Sequence, residues 1–279
     1  MSLPVHRATR YMVPLREGGS LPALLETESG DFFVTKFRGA GQGARALIAE
    51  LLSGLLAQHL GLPVPDLGLI DLHDAFGRTE RDPEIQDILK GSRGLNVGMR
   101  YLEGAFNYDP VGAADLVPPG WAAEVVWFDA FTTNIDRTAR NPNLMVWNEK
   151  VYLIDHGASL YFHHNWEGMD ESRMRTPFPP IKDHVLLPLA GDLEAADRRI
   201  IERLDKAVLR EVVDGLPDVL LMDAPEGRVP PFHSAEENRA AYLDYFLCRL
   251  EGERAFVQEA VAAQARQRAE PPQPLRYRR

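Results

Sequence analysis

The apolar positions at the start of the chain come in short runs separated by turn residues. Tyr11-Met-Val-Pro-Leu15, Leu21-Pro-Ala-Leu-Leu-Glu-Thr27 and Asp31-Phe-Phe-Val-Thr-Lys-Phe37 are divided by Arg16-Glu-Gly-Gly-Ser20 and Glu28-Ser-Gly-Asp31. Such spacing predicts strands joined as antiparallel hairpins over Arg10 to Phe37. The period then changes. Leu47, Ile48, Leu51, Leu52, Leu55 and Leu56 recur at helical spacing, which predicts a helix from about Ala44 to Leu60. Gly61 ends it, and Pro63 and Pro65 prevent its continuation. Val64 to Leu72 and Leu95 to Leu102 read as further strands, with a short helix over Pro83 to Lys90.

Glu103 to Gly120 is rich in Gly and Pro and marks a boundary. Trp121 to Thr133 has little polar surface and predicts a buried helix. The polar loop Asn134-Ile-Asp-Arg-Thr-Ala-Arg-Asn-Pro-Asn143 follows. Leu144 to Trp147 and Val151 to Ile154 then form a hairpin that runs into Asp155-His-Gly157. From Leu193 onward the pattern is helical, and the tail from Gln264 to Arg279 reads as frayed.

This order of elements is the layout of a kinase fold. Strands, a Gly-rich turn and a strand bearing a lysine come first. A helix with one glutamate comes next, and then a helix, an Asp/Asn loop and a hairpin ending in Asp-x-Gly. The expectation is an α+β, bilobal protein kinase-like fold. Residues 1–105 form an N-lobe of antiparallel sheet plus one helix, and residues 106–279 form a mainly helical C-lobe. ATP occupies the cleft between them.

Phosphoryl transfer explains why these residue types are needed. A lysine neutralises phosphates, magnesium takes hard oxygen ligands, and a carboxylate accepts the acceptor's proton. Lys36 alternates with Val34, opposite Phe33, Thr35 and Phe37, and is the candidate lysine. Glu50 is the one acid of its helix and lies off the Leu stripe, so it is either exposed or paired with Lys36. Gly18, Gly19 and Ser20 suit a backbone cradle for phosphates, or a tight hairpin turn. Met99, Tyr101 and Leu102 lie where backbone would meet adenine. Gly39, Gly41 and Gly43 lack dinucleotide-binding spacing and read as a flexible connector. Asp136 and Asn141 have the five-residue spacing of a base and a metal-holding amide. Asp155 ends a hydrophobic strand as a second metal ligand. Asn143 is the alternative amide. Arg137 and Arg140 steady phosphate or the loop acids, or face water. His156, His163 and His164 lack zinc spacing and are structural or substrate-facing, the last two on opposite sides of a strand.

Thr133-Asn-Ile-Asp-Arg137, Asn141-Pro-Asn-Leu-Met-Val146, Leu153-Ile-Asp-His-Gly157 and Phe33-Val-Thr-Lys-Phe37 resemble the HipA-like kinase family and, more distantly, phosphatidylinositol kinases. The resemblance implies ATP and magnesium as cofactors and transfer to a protein Ser or Thr. It makes Asp136 the catalytic base, Asn141 and Asp155 metal ligands, and Lys36 the phosphate-binding lysine. A small-molecule acceptor, and a pseudokinase that binds nucleotide or a partner without transfer, are the alternatives.

Composition narrows the partners. The formal net charge of −10 gives the chain no general attraction to nucleic acid or to anionic membranes. The single cysteine, Cys248, cannot form an internal disulfide and reads as a small buried hydrophobe, which fits a reducing cytoplasm. No stretch approaches membrane-spanning length, and the first ten residues lack a signal-peptide core.

Overall fold

Alternation of apolar and polar residues gives the N-terminal strands one face that must be buried, and they bury it by closing on themselves. The computed structural model describes residues 3–15, 21–41, 43–78, 80–223 and 230–269. β1 (Val5–Pro14), β2 (Ala23–Thr27), β3 (Phe32–Lys36), β4 (Leu67–Leu72) and β5 (Gly94–Arg100) form a closed barrel in the order β1-β2-β3-β5-β4. The β1–β2 and β2–β3 pairs are the expected antiparallel hairpins. β1 starts five residues earlier than the sequence pattern indicates, and its first half pairs parallel with β4, with Val5 opposite Leu69. That half reads Val-His-Arg-Ala-Thr, and Ala8 is its one buried side chain, so the strand has no apolar alternation to announce it. Ala8, Leu25, Phe33, Phe37, Ile70 and Leu72 fill the barrel.

α2 (Pro83–Gly91) closes one end of the barrel with Ile85 and Leu89. Asp82 caps it by accepting from the Glu84 N–H at 3.0 Å, and Pro83 sits in its first turn. The Gly39 segment lies directly on the end of α2. Its N–H donates to Ser92 Oγ at 2.9 Å. A Cβ on Gly39 would stand 2.7 Å from the Ile88 carbonyl oxygen and 2.8 Å from the Gly91 carbonyl carbon. Gly39 is therefore required by backbone approach rather than by flexibility.

α1 (Ala44–His59) lies between the barrel and the helices that follow. It packs on β4 and β5 on one side and on α6 (Lys206–Asp214) and α7 (Asp218–Leu221) on the other. It is consequently buried nearly all round, Glu50 included, and not only along its leucine stripe. Its apolar side chains share one core with α3 (Pro119–Phe131), α5 (Leu193–Ile201), α8 (Ala235–Leu250) and α9 (Ala255–Ala269). β6 (Phe106–Asn107), β7 (Leu144–Trp147) and β8 (Lys150–Leu153) make a small antiparallel sheet. It carries the loop before β7 and the segment after β8 into the same region. Buried Arg249 of α8 donates to the carbonyls of Ala130 and Phe131, satisfying the C-terminus of α3 where the Asp136 loop begins. Cys248, on the same helix, is half-exposed rather than buried, with Sγ 3.8 Å from the Glu171 carbonyl.

Gly39→Ala tests the close approach. Because backbone rather than a flexible side chain blocks the added methyl, the substitution should lower the unfolding free energy by about 1–3 kcal/mol, measured by urea denaturation.

Candidate active site

β3 turns Lys36 out of the barrel, away from buried Phe33, Thr35 and Phe37, and toward α1. Its ammonium forms close ion pairs with both Glu50 of α1 and Asp155 after β8. Burial alone would lower the Lys36 pKa, but the charges of Glu50 and Asp155 outweigh it and hold the ammonium protonated above its usual range. For Glu50, burial works toward a higher value. The Lys36 charge and the His156 hydrogen bonds overcome it and hold the carboxyl well below the ordinary range. Glu50 Oε1 accepts the His156 backbone N–H at 3.1 Å and faces His156 Nδ1 at 3.4 Å.

Asp155 sits at φ +54°, a left-handed conformation that non-glycine residues rarely adopt. Its side chain is 45% exposed, so a carboxylate bound to Lys36 is also open to solvent. Gly157 packs beneath this group. A Cβ there would stand 3.2 Å from Lys36 Nζ and 3.6 Å from both the Ala46 carbonyl and Glu50 Oε2.

The loop after α3 gathers the second set of groups. Asp136 Oδ2 accepts from Asn141 Nδ2 at 2.7 Å and from Asn143 Nδ2 at 3.2 Å. A carboxylate can only accept, so both amides turn their nitrogens toward Asp136 and leave their oxygens for other partners. The Asp136 N–H donates to Asn134 Oδ1 at 3.1 Å, forming a side-chain-closed turn.

Arg137 lies under this loop and is buried, neither facing water nor steadying phosphate. Its Nε donates to Asp129 Oδ2 at 2.6 Å. Its terminal nitrogen donates to the carbonyls of Asn143 and of Ile154, the latter at 3.3 Å. The Ile154 N–H donates to the Asn143 carbonyl at 3.1 Å. One guanidinium thus holds the end of the Asp136 loop against the residue preceding Asp155. Asp129 is satisfied further by Asn134 Nδ2 at 3.1 Å and His184 Nε2 at 2.8 Å. His184 Nδ1 accepts the Leu186 N–H at 3.0 Å, so Nε2 is the nitrogen that donates to Asp129. Burial would raise the Asp129 pKa, but Arg137 and His184 bring it down to about 2.

Of the expected nucleotide-binding residues, Gly18, Gly19 and Ser20 lie outside the described residues. Met99 is buried on β5 opposite Val34, and Leu102 is buried just beyond that strand. Tyr101 is exposed, with its N–H already donated to Phe32 O at 2.8 Å. Arg140 is exposed. His163 and His164 are not on a strand but in a 3-10 segment, Tyr161–Gly168, with their rings 4.6 Å apart. His163 is buried against the Tyr242 hydroxyl at 2.9 Å, and burial, with His164 and Arg45, pushes its pKa well down. His156 is buried rather than substrate-facing. Sequence reasoning missed Asp129 and His184. The signal for the first was available: a lone carboxylate in an otherwise apolar helix needs a partner.

Arg137→Met should lower the unfolding free energy by about 3–5 kcal/mol, because it leaves the buried Asp129 charge without its arginine. The double variant Arg137→Met/Asp129→Leu should be destabilised less than the sum of its parts, by chemical denaturation. The Asp129 pKa is depressed in the folded state. Its stabilisation is therefore present above the ordinary carboxylate value near 4 and is lost as pH falls through about 2. In Asp129→Asn that part of the acid sensitivity should be missing from a pH series of unfolding free energies.

A family model described as HipA-like kinase matches residues 10–183, more than half of the chain. Among solved structures, the Helicobacter pylori proinflammatory kinase CtkA is similar in fold, with a TM-score of 0.52 at 11% identity. The match covers 96% of this chain and 100% of that one. No curated protein matches the sequence. With Lys36, Glu50, Asp136 and Asp155 all inside the matched span, the chain belongs to the HipA-like kinase family.

Proposed function

We propose that this protein binds ATP with magnesium and transfers the γ-phosphate to a hydroxyl, that of a protein Ser or Thr. The observation that carries this reading is the meeting of Lys36 with Glu50 and Asp155, from three separated segments, with Arg137 tying that group to the Asp136 loop. We read residues 1–105 and 106–279 as two lobes with the nucleotide between them. In this reading the Met99 to Leu102 backbone would meet the base.

The donors fit a hard divalent cation. The candidate ligands are oxygens: the solvent-open Asp155 carboxylate, the amide oxygen of exposed Asn141 and the amide oxygen of buried Asn143. Magnesium keeps much of its water and phosphate shell and needs only one or two protein ligands. When bound, the ion neutralises phosphate charge as the transfer proceeds. Lys36 holds phosphate by charge, and Glu50 keeps it aimed. Asp136 orients the acceptor hydroxyl and takes its proton, with the Asn141 and Asn143 amide nitrogens steadying its carboxylate. Among the described residues no helix is long and apolar enough to cross a membrane. The acidic chain with one cysteine supports a place in the reducing cytoplasm, away from nucleic acid.

Calorimetry with and without magnesium tests the binding half. Wild type should bind ATP in a magnesium-dependent manner, and Asp155→Ala should lose that dependence. The absence of ATP binding by folded wild type would contradict the proposal. Asp136→Ala tests the transfer half. Its Mg-ATP affinity should stay within about threefold of wild type, while labelled γ-phosphate transfer to protein falls by roughly a hundredfold or more. Label appearing on a small molecule instead would move the acceptor assignment. Binding without any transfer would favour a nucleotide-binding module.

A further inference from the structure

We propose that His156 is a positioning residue whose ring N–H holds the Glu50 carboxylate in place, and through it Lys36. The proposal rests on the nucleotide-binding reading above. Glu50 is buried, and a buried carboxylate needs donors for both oxygens. Oε2 takes Lys36. The donors to Oε1 both come from residue 156: the backbone N–H at 3.1 Å and the ring Nδ1 at 3.4 Å. A carboxylate only accepts, so Nδ1 carries the hydrogen.

The surroundings leave few other ways to fix this side chain. The start of α1 is fastened where Arg45 donates to the His164 carbonyl at 3.2 Å. Its end is fastened where Arg203 donates to the Leu60 carbonyl at 3.1 Å. With the helix held, rotation of the Glu50 side chain is the remaining freedom, and His156 opposes it. The His156 ring is buried edge-on to Phe128 at 6.2 Å, so it is held by α3. An apolar ring at 156 would fill the same space but leave Oε1 with the backbone N–H alone.

The consequence reaches Asp155. Lys36 binds Glu50 and Asp155 together, so a weaker hold by Glu50 moves the ammonium toward Asp155. That carboxylate is the one read as a metal ligand. Loss of the His156 N–H therefore weakens nucleotide binding at two points, phosphate and metal.

The test is Mg-ATP affinity by calorimetry on folded protein, below each variant's Tm. His156→Phe should bind roughly ten- to a hundredfold more weakly, the size expected for a hydrogen bond to a charged group. His156→Asn keeps an N–H near the δ position and should stay within about threefold of wild type. If His156→Phe does not fold, His156→Met is the second apolar variant. A role in packing alone would lower Tm without this split between Phe and Asn. Wild-type affinity in a folded apolar variant would overturn the proposal, as would equal loss in His156→Asn. Failure of wild type itself to bind would instead sink the nucleotide-binding reading.

Discussion

The site depends on a buried arginine. Taking the Arg137 guanidinium and the Asp129 carboxylate out of water is costly, and further hydrogen bonds are needed to offset it. Here Asp129 also accepts from His184 and Asn134, and Arg137 Nη1 donates to the Asn143 and Ile154 carbonyls, while Arg137 Nη2 is buried without a partner among the described residues. That requirement makes the pair specific. The Asp136 loop must end where Asn143 reaches Arg137, and β8 must end where Ile154 does. The loop and the Asp155 segment are therefore tied to each other by this group as well as by the β7–β8 pairing.

Lys36 makes the second connection, across a different boundary. One apolar cluster fills the barrel, while α1 shares another with Leu67, Leu69, Val97 and Met99 of the barrel strands and with the C-terminal helices. Lys36 belongs to the barrel, while its two carboxylates come from α1 and from the segment after β8. The lysine thus joins three elements electrostatically, beside the carboxylate that is open to solvent.

Much of this was legible in the sequence, because strands, hairpins and the leucine-rich helix follow from period and turn residues. The Asp136, Asn141 and Asp155 grouping was legible from spacing, and the Lys36–Glu50 pair as one of two readings. What the sequence hid has a common cause. Burial of Glu50 depends on packing against both the barrel and later helices, which a single amphipathic face does not encode. The start of β1 has no apolar alternation, and its parallel partner lies 64 residues away. Arg137 reads like any loop arginine until Asp129 is recognised as a buried carboxylate, and His184 joins them from outside every motif. Gly39 reads as a connector because a backbone contact from α2 leaves no trace in composition.

The central claim is that these groups form one magnesium–nucleotide site, and a crystal structure with magnesium and a non-hydrolysable ATP analogue tests it most directly. The account predicts Lys36 on the phosphates, the metal held by Asp155 and an amide oxygen of Asn141 or Asn143, and the γ-phosphate facing Asp136. Nucleotide bound elsewhere, or a metal without Asp155 in its shell, would contradict it.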